Sequence, residues 1–199
     1  MTNKVKNQVL KYLYNQKLFG IKYHSDLNIN FYSSCDFALP NGLEELKKSV
    51  SNCYLCDLSK TRKHTLFGYG NQNSKIMFIC DEPSKSEDDL GSFFVGNAGE
   101  MLAKMIEGSL KIKKEEVYTT NLVKCRGTKE ASFQNFESCN CYLLKQIDII
   151  KPKIIIAVGE RVHDYLLKNS GDFLKNRGKV LSFNSAILVP IFSPLYLLK

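Results

Sequence analysis

The sequence predicts one α/β domain, a three-layer α/β/α sandwich around a mostly parallel, four-stranded central sheet. Three observations carry that reading. Four short apolar runs, KIMFIC from Lys75, VYTTNLV from Val117, IIIAVG from Ile154 and AILVPIF from Ala186, have the continuous hydrophobicity of strands buried on both faces. Segments of helical spacing lie between them, and a strand–helix–strand repeat yields a parallel sheet covered on both sides. The 199 residues suffice for one such domain with an appendage, not for two full domains.

Taken in order, residues 1 to about 20 place Val5, Val9, Leu10, Tyr12, Leu13 and Leu18 at spacings of three and four, an amphipathic helix that Gly20 would end. The stretch from Ile21 to Pro40 has no clear period. Asn41, followed by Leu43, Leu46 and Val50, predicts a short helix with an asparagine cap, so residues 1–50 read as a helical N-terminal extension and 51–199 as the main domain. After KIMFIC comes a loop rich in Asp, Glu, Ser and Gly. A helix from about Asn97 carries Met101, Leu102, Met105 and Ile106 on one face and should stop at Gly108. The next helix runs from Phe133 to Ile150, with Pro152 breaking it, and another covers Glu160 to Lys168. The last strand ends at Ser193-Pro194. In such sheets binding sites form at the carboxyl ends of the strands, which singles out the residues just after each run.

The hydrophobic fraction of 44% and charged fraction of 24% are those of a soluble globular protein, and no apolar run has the length to span a bilayer. The N-terminus lacks the pattern of a secretory signal, so a cytoplasmic protein without a membrane partner is expected. A net charge of +8 favours polyanionic partners, although a lysine-rich genome would produce the same excess. Seven cysteines without an export signal argue for thiols that bind metal or pack in the core rather than for disulfides. Cys53 and Cys56 form a Cys-x2-Cys knuckle that fits a zinc site, a redox pair or two ordinary cysteines. With Cys125 and Cys139 the set becomes C-x2-C-x68-C-x13-C, four ligands for a cluster or a structural zinc. Cys141 rivals Cys139, and Cys80 reads as a small core residue.

Several separated segments then converge on one family. CYLCDLSKTRKHTLFGYG resembles the first cluster hairpin of the family 4, iron–sulfur uracil-DNA glycosylases. KIMFICDEPSKSEDDLGSFFVGNAGEML resembles their Gly-Glu-Ala-Pro-Gly motif and the Gly-x-Pro-Phe-Val-Gly-x-Ala-Gly that follows. VYTTNLVKCR is similar to Tyr-x-Thr-Asn-x-x-Lys-Cys-Arg, and SPLYLLK to the closing His-Pro-x-Tyr-Leu-Leu. The resemblance runs from about Cys53 to Lys199 and implies a uracil-DNA glycosylase-like fold. It implies that Cys53, Cys56, Cys125 and Cys139 hold a 4Fe-4S cluster, and that Lys60, Arg62 and Lys63, with Arg177 of the Arg-Gly segment, contact DNA. Phe94 would stack on an extruded uracil, Asn121 would pair with its edge, and Ser84 would border the same pocket. The partner would be uracil-containing DNA, bound by a monomer.

Two departures touch the chemistry. The usual Gly-Glu-Ala-Pro-Gly is Cys80-Asp81-Glu82-Pro83-Ser84 here, so Asp81 stands at the family glutamate and a second acid, Glu82, at its alanine. Either can orient water and stabilise an oxocarbenium-like sugar, or face solvent in an acidic loop with Glu87, Asp88 and Asp89. Ser193 replaces the family histidine, which is expected to donate to the departing base. The resemblance thus implies a base-excision repair hydrolase with catalytic Asp81, Glu82 and Ser193. The alternatives are a DNA-binding paralogue of weak or no activity that keeps fold and cluster, and a zinc-stabilised protein unrelated to DNA.

Overall fold

The computed structural model describes residues 39–168 and 171–198; the amphipathic pattern over residues 1 to 20 lies outside them. Strands β1 (Tyr69–Gly70), β2 (Ile76–Cys80), β3 (Tyr118–Asn121), β4 (Ile154–Val158), β5 (Leu181–Phe183) and β6 (Ala186–Ile191) form one sheet in the order β1-β3-β2-β4-β6-β5. The central four are the expected runs and pair in parallel. The expected four-stranded sheet is corrected to six by two antiparallel edge strands, β1 on β3 and β5 on β6. Edge strands of two and three residues take their register from the neighbour's backbone, so they carry no hydrophobic period of their own. The β5–β6 hairpin turns through Asn184, whose φ of 50° is a left-handed conformation that asparagine tolerates.

Alternate strand residues enter opposite cores, as a period of two requires. Met77, Ile79, Ile155 and Ala157 pack with helices α1 (Leu43–Ser51) and α4 (Phe133–Ile150). Phe78 and Val158 pack on the other face with Leu102, Ala103 and Ile106 of helix α3 (Gly96–Met105) and the π-type turn that continues it to Leu110. That turn carries the chain past Gly108, the expected stop, to Lys111 at φ 56°. In α1, Leu43, Leu46 and Val50 are all buried, yet the cap residue is Gly42, and Asn41, one position earlier, accepts on Oδ1 from Lys145 Nζ of α4 at 2.8 Å. Helix α4 begins in a reciprocal cap between Ser132 and Asn135 and ends at Lys151 in a left-handed conformation just before Pro152. Short helices α2 (Lys85–Leu90), α5 (Glu160–Leu166), α6 (Phe173–Asn176) and α7 (Pro194–Leu197) complete the described chain, in which no helix is long and apolar enough to cross a membrane.

Register is what assembles the candidate site. Cys80 pairs with Asn121 and Val158 with Ile191, so the acidic loop after β2, the end of β3, the turn after β4 and the segment after β6 open on the same edge. Backbone bonds from Leu122 N–H to Cys80 O (2.8 Å) and from Gly159 N–H to Ile191 O (2.8 Å) hold those loops together. Gly159 sits at φ 99°, and a Cβ there would stand 3.3 Å from Ser193 Cβ. The turn is therefore a glycine position on two counts, conformation and close approach.

Candidate active site

A cavity of about 160 Å³ opens at this edge, bordered by Asp81, Glu82, Ser84, Asn121 and Ser193 among others. Five of the six residues expected to act on base and sugar are thus brought together. Asn121, the last residue of β3, is buried, and its side-chain amide nitrogen has no hydrogen-bond partner. Thr119, two residues earlier and on the same face of the strand, also borders the cavity with an unpartnered buried hydroxyl. Buried polar groups are nearly always satisfied, so two orphans facing one cavity mark a place where a polar ligand completes the set.

The strand end that carries Asn121 is held rigidly from behind. Lys124 Nζ, fully buried, donates to Asn121 O at 2.5 Å and to Thr120 Oγ1 at 2.8 Å. Burial lowers the Lys124 ammonium to about 8, against the raising effect of the Cys139 and Cys125 thiols. Thr120 Oγ1 donates to Phe67 O at 2.9 Å, and Gln146 Nε2 of α4 donates to the same carbonyl at 2.8 Å. A satisfied buried network of this kind fixes one geometry for the group it supports.

The two acids are treated differently. Glu82 has a side chain only 8% exposed, receives Ala131 N–H on Oε2 at 2.6 Å and pairs through Oε1 with Arg126 Nη1 at 3.2 Å, whose other bond goes to Pro83 O. Burial pushes its carboxyl above the ordinary range, partly countered by the Ala131 N–H and by Arg126 and Arg161. Asp81, with a side chain 37% exposed, accepts Glu82 N–H on Oδ1 at 2.8 Å and Arg161 Nη1 on Oδ2 at 3.3 Å. Glu82 thus acts as a tie between the β2 loop and the start of α4, and Asp81 is the acid open to the cavity. A carboxyl raised on folding contributes stability below its ordinary value of 4.5 and loses it as pH rises through the folded value. Glu82→Gln, which keeps the shape without the charge, should flatten the stability–pH curve upward from about pH 4.5, as read by urea unfolding at a series of pH values.

The remaining acids of the loop do not face solvent as a group. Glu87 caps Ser84 reciprocally and accepts Phe94 N–H at 3.2 Å, so the Ser84 side chain borders the cavity while serving as a helix cap. Asp88 is buried and accepts the backbone N–H groups of Lys63 and His64, tying the cysteine hairpin to this loop. The ring at the cavity differs from the expected one. Phe93 borders it, whereas Phe94 does not: at φ 62° its ring turns into the core, 5.4 Å from Tyr69 in an edge contact. Gly99 allows this, since a Cβ there would come within 2.7 Å of the Phe94 carbonyl carbon.

Ser193 is the cap of α7, its Oγ accepting Tyr196 N–H at 3.3 Å. It also borders a second, larger cavity of about 370 Å³ with Asp81, Arg161, Phe192 and Tyr196. Phe192 stacks on Tyr196 at 4.3 Å, and the Arg177 guanidinium lies 4.4 Å from the Phe192 ring centre. Of the other expected DNA contacts, Lys60 is exposed, and Lys63 is exposed and paired with Asp89 at 2.6 Å. Arg62 departs from expectation: its guanidinium turns inward to Cys53 O (2.9 Å), Ser51 O (3.2 Å) and Cys125 Sγ (3.2 Å), where sulfur and carbonyl acceptors hold it away from a phosphate.

Cys53, Cys56, Cys125 and Cys139 line one narrow cavity between the hairpin, the segment after β3 and α4. Cys141 is buried elsewhere in the same core and does not border it. Burial pushes the Cys139 thiol up to about 12 and raises Cys125 and Cys56 as well. Among the described residues, no three His, Cys, Asp or Glu side chains gather closely enough around one point to hold a single metal ion.

Thr119, Phe93, Arg126 and Arg161 belong to the site and were missed by sequence reasoning. Thr119 could have been found from its strand alternation with Asn121. The arginines carry no such signal, since 44 and 80 residues separate them from the acids they pair with.

Residues 67–199 match the uracil DNA glycosylase superfamily. The chain is 37% identical over 142 residues, 70% of its length, to the type-4 uracil-DNA glycosylase of Saccharolobus solfataricus and 35% identical over 142 residues to that of Sulfurisphaera tokodaii. It spans just under two thirds of the length of these relatives, 66% and 64%. With the type-4 uracil-DNA glycosylase of Thermotoga maritima it shares 32% identity over 161 residues, 79% of this chain and 83% of that one.

Proposed function

Since the chain belongs to the type-4 branch of the uracil DNA glycosylase superfamily, we propose that it extrudes deoxyuridine from DNA and hydrolyses its N-glycosidic bond, leaving an abasic site. The observation that carries this is the unpartnered, buried Asn121 amide at the floor of a small cavity. A carboxamide offers a donor and an acceptor side by side, which matches O4 and N3–H of uracil and mismatches the reversed pattern of cytosine. Thr119 supplies a further hydrogen bond, and Phe93 provides the apolar wall against which the base lies. Asp81 orients the attacking water and stabilises the oxocarbenium-like sugar; Glu82, saturated by Arg126 and Ala131 N–H, holds the loop. Lys60, Lys63 and Arg177 are exposed cations suited to the phosphate backbone.

Cys53, Cys56, Cys125 and Cys139 suit a 4Fe-4S cluster. A single ion is disfavoured by their spread, whereas a polynuclear cluster draws ligands from points further apart. Arg62 lies against Cys125 Sγ, and the buried Lys124 bonds only neutral oxygens, so both cations are balanced once the thiols become thiolates. Bound there, the group supplies a structural pin. The residues themselves then hold the Asn121 strand end and the basic hairpin in place.

The test uses the purified protein with single- and double-stranded oligonucleotides containing one uracil. Alkali-labile breaks at uracil and none at cytosine are expected, with Asn121→Ala slower by about 10²-fold. A second reading, a DNA-binding paralogue without activity, draws on Ser193, whose hydroxyl is engaged as a cap. Binding to the oligonucleotide without breaks, at high protein and long times, selects that reading.

A further inference from the structure

Breaking the bond between uracil N1 and sugar C1′ sends the electron pair to the base, so an anion must be stabilised where the motif histidine would have stood. Ser193 is a short side chain whose Oγ already accepts Tyr196 N–H. No described histidine compensates. His163 is fully buried, bound to Asp164 Oδ1 at 2.7 Å and Asn176 Nδ2 at 3.0 Å, and His64 is bound to Asp88 O at 2.6 Å. Neither borders the cavity at Asn121 or the larger one beside it.

Two guanidinium groups do border the first cavity. Arg126 pairs with the nearly buried Glu82 and does not border the larger cavity beside Ser193. Arg161, the second residue of α5, lies on the wall that the two cavities share, together with Asp81, Val158 and Ser193. Among the described residues it is the only cation that borders both cavities; Arg177, stacked on Phe192, borders neither. Its guanidinium is steered by a 3.3 Å bond to Asp81, by Ala131 O and by the face of Phe136 at 5.0 Å. Five donors on one planar head leave it able to keep these contacts and still present an N–H to a ligand.

Resting on the glycosylase reading, we propose that Arg161 is a catalytic residue that stabilises the departing uracil anion in place of the missing histidine. The C1′–N1 bond breaks heterolytically and the electron pair stays on the base. Arg161 donates a hydrogen bond to the anion without giving up its proton. Water captures the sugar at C1′ and loses a proton to Asp81, and the base takes up a proton from solvent after release.

Single-turnover excision of uracil and of 5-fluorouracil from the same oligonucleotide tests this, because fluorine stabilises the departing anion and lessens the need for a donor. Arg161→Gln should slow uracil release by about 10²–10³-fold and 5-fluorouracil release clearly less. Adding Ser193→His to Arg161→Gln should restore much of the uracil rate. Equal losses for the two bases would make Arg161 a positioning residue for Asp81 and overturn the assignment while leaving the glycosylase intact. Failure of the unaltered protein to release either base would instead remove the glycosylase reading beneath it. Should Arg161→Gln not fold, Arg161→Lys keeps the charge without the fork, and the same uracil-to-fluorouracil comparison decides on that variant.

Discussion

Cys139→Ser is expected to yield a protein without bound iron and without detectable uracil excision. Cys139 is buried on α4, opposite Cys125, which lies four residues beyond Asn121. Stripped of a cluster, the cavity would hold a buried lysine and an arginine facing neutral thiols and hydroxyls, an uncompensated arrangement. Structural metal sites contribute on the order of 10 kcal/mol to folding, comparable with the whole stability of a domain. Iron and sulfide analysis of anaerobically purified protein, with circular dichroism and the uracil assay, checks this. Full activity at zero iron would show that the cysteines merely pack.

Asp81→Asn should lower excision by about 10²–10⁴-fold with base binding nearly unchanged. Of the two acids, only Asp81 has a half-exposed carboxylate on the cavity, and its position after β2 is fixed by Val123 N–H on its own carbonyl at 3.2 Å. Glu82→Gln, by contrast, should leave the rate within about tenfold, because its nearly buried carboxylate ties Arg126 and Ala131 together and is much less open to a water than that of Asp81. Single-turnover rates for the two variants separate them. A larger loss at Glu82 would reverse the roles.

Much of this architecture was legible from residue order. The four parallel strands were visible because a strand buried on both faces must be apolar throughout. The carboxyl edge was visible because parallel strands deliver their following residues there, and Asp81, Ser84, Asn121 and Ser193 were named at it through the resemblance of their motifs to the family's. The edge strands, the Gly42 cap and the continuation past Gly108 were not, since each depends on a neighbour's backbone or on a distant side chain. Asn41 bonds instead to Lys145, more than a hundred residues away.

Roles that turn on side-chain direction were the least visible. Phe93 and Phe94 are adjacent and chemically identical, and only a left-handed backbone at Phe94, permitted by Gly99, decides which ring meets the cavity. The resemblance makes Arg62 a DNA contact, but it is captured by Ser51, Cys53 and Cys125. The sequence by itself determined the layer order of the domain, the family, and the sheet edge at which the candidate site opens, because hydrophobic period and motif spacing are properties of the chain. Tertiary structure alone decided which acid is open to the cavity, which is nearly buried, and where Arg161 stands, because pairing and burial depend on residues that the chain brings together only when folded.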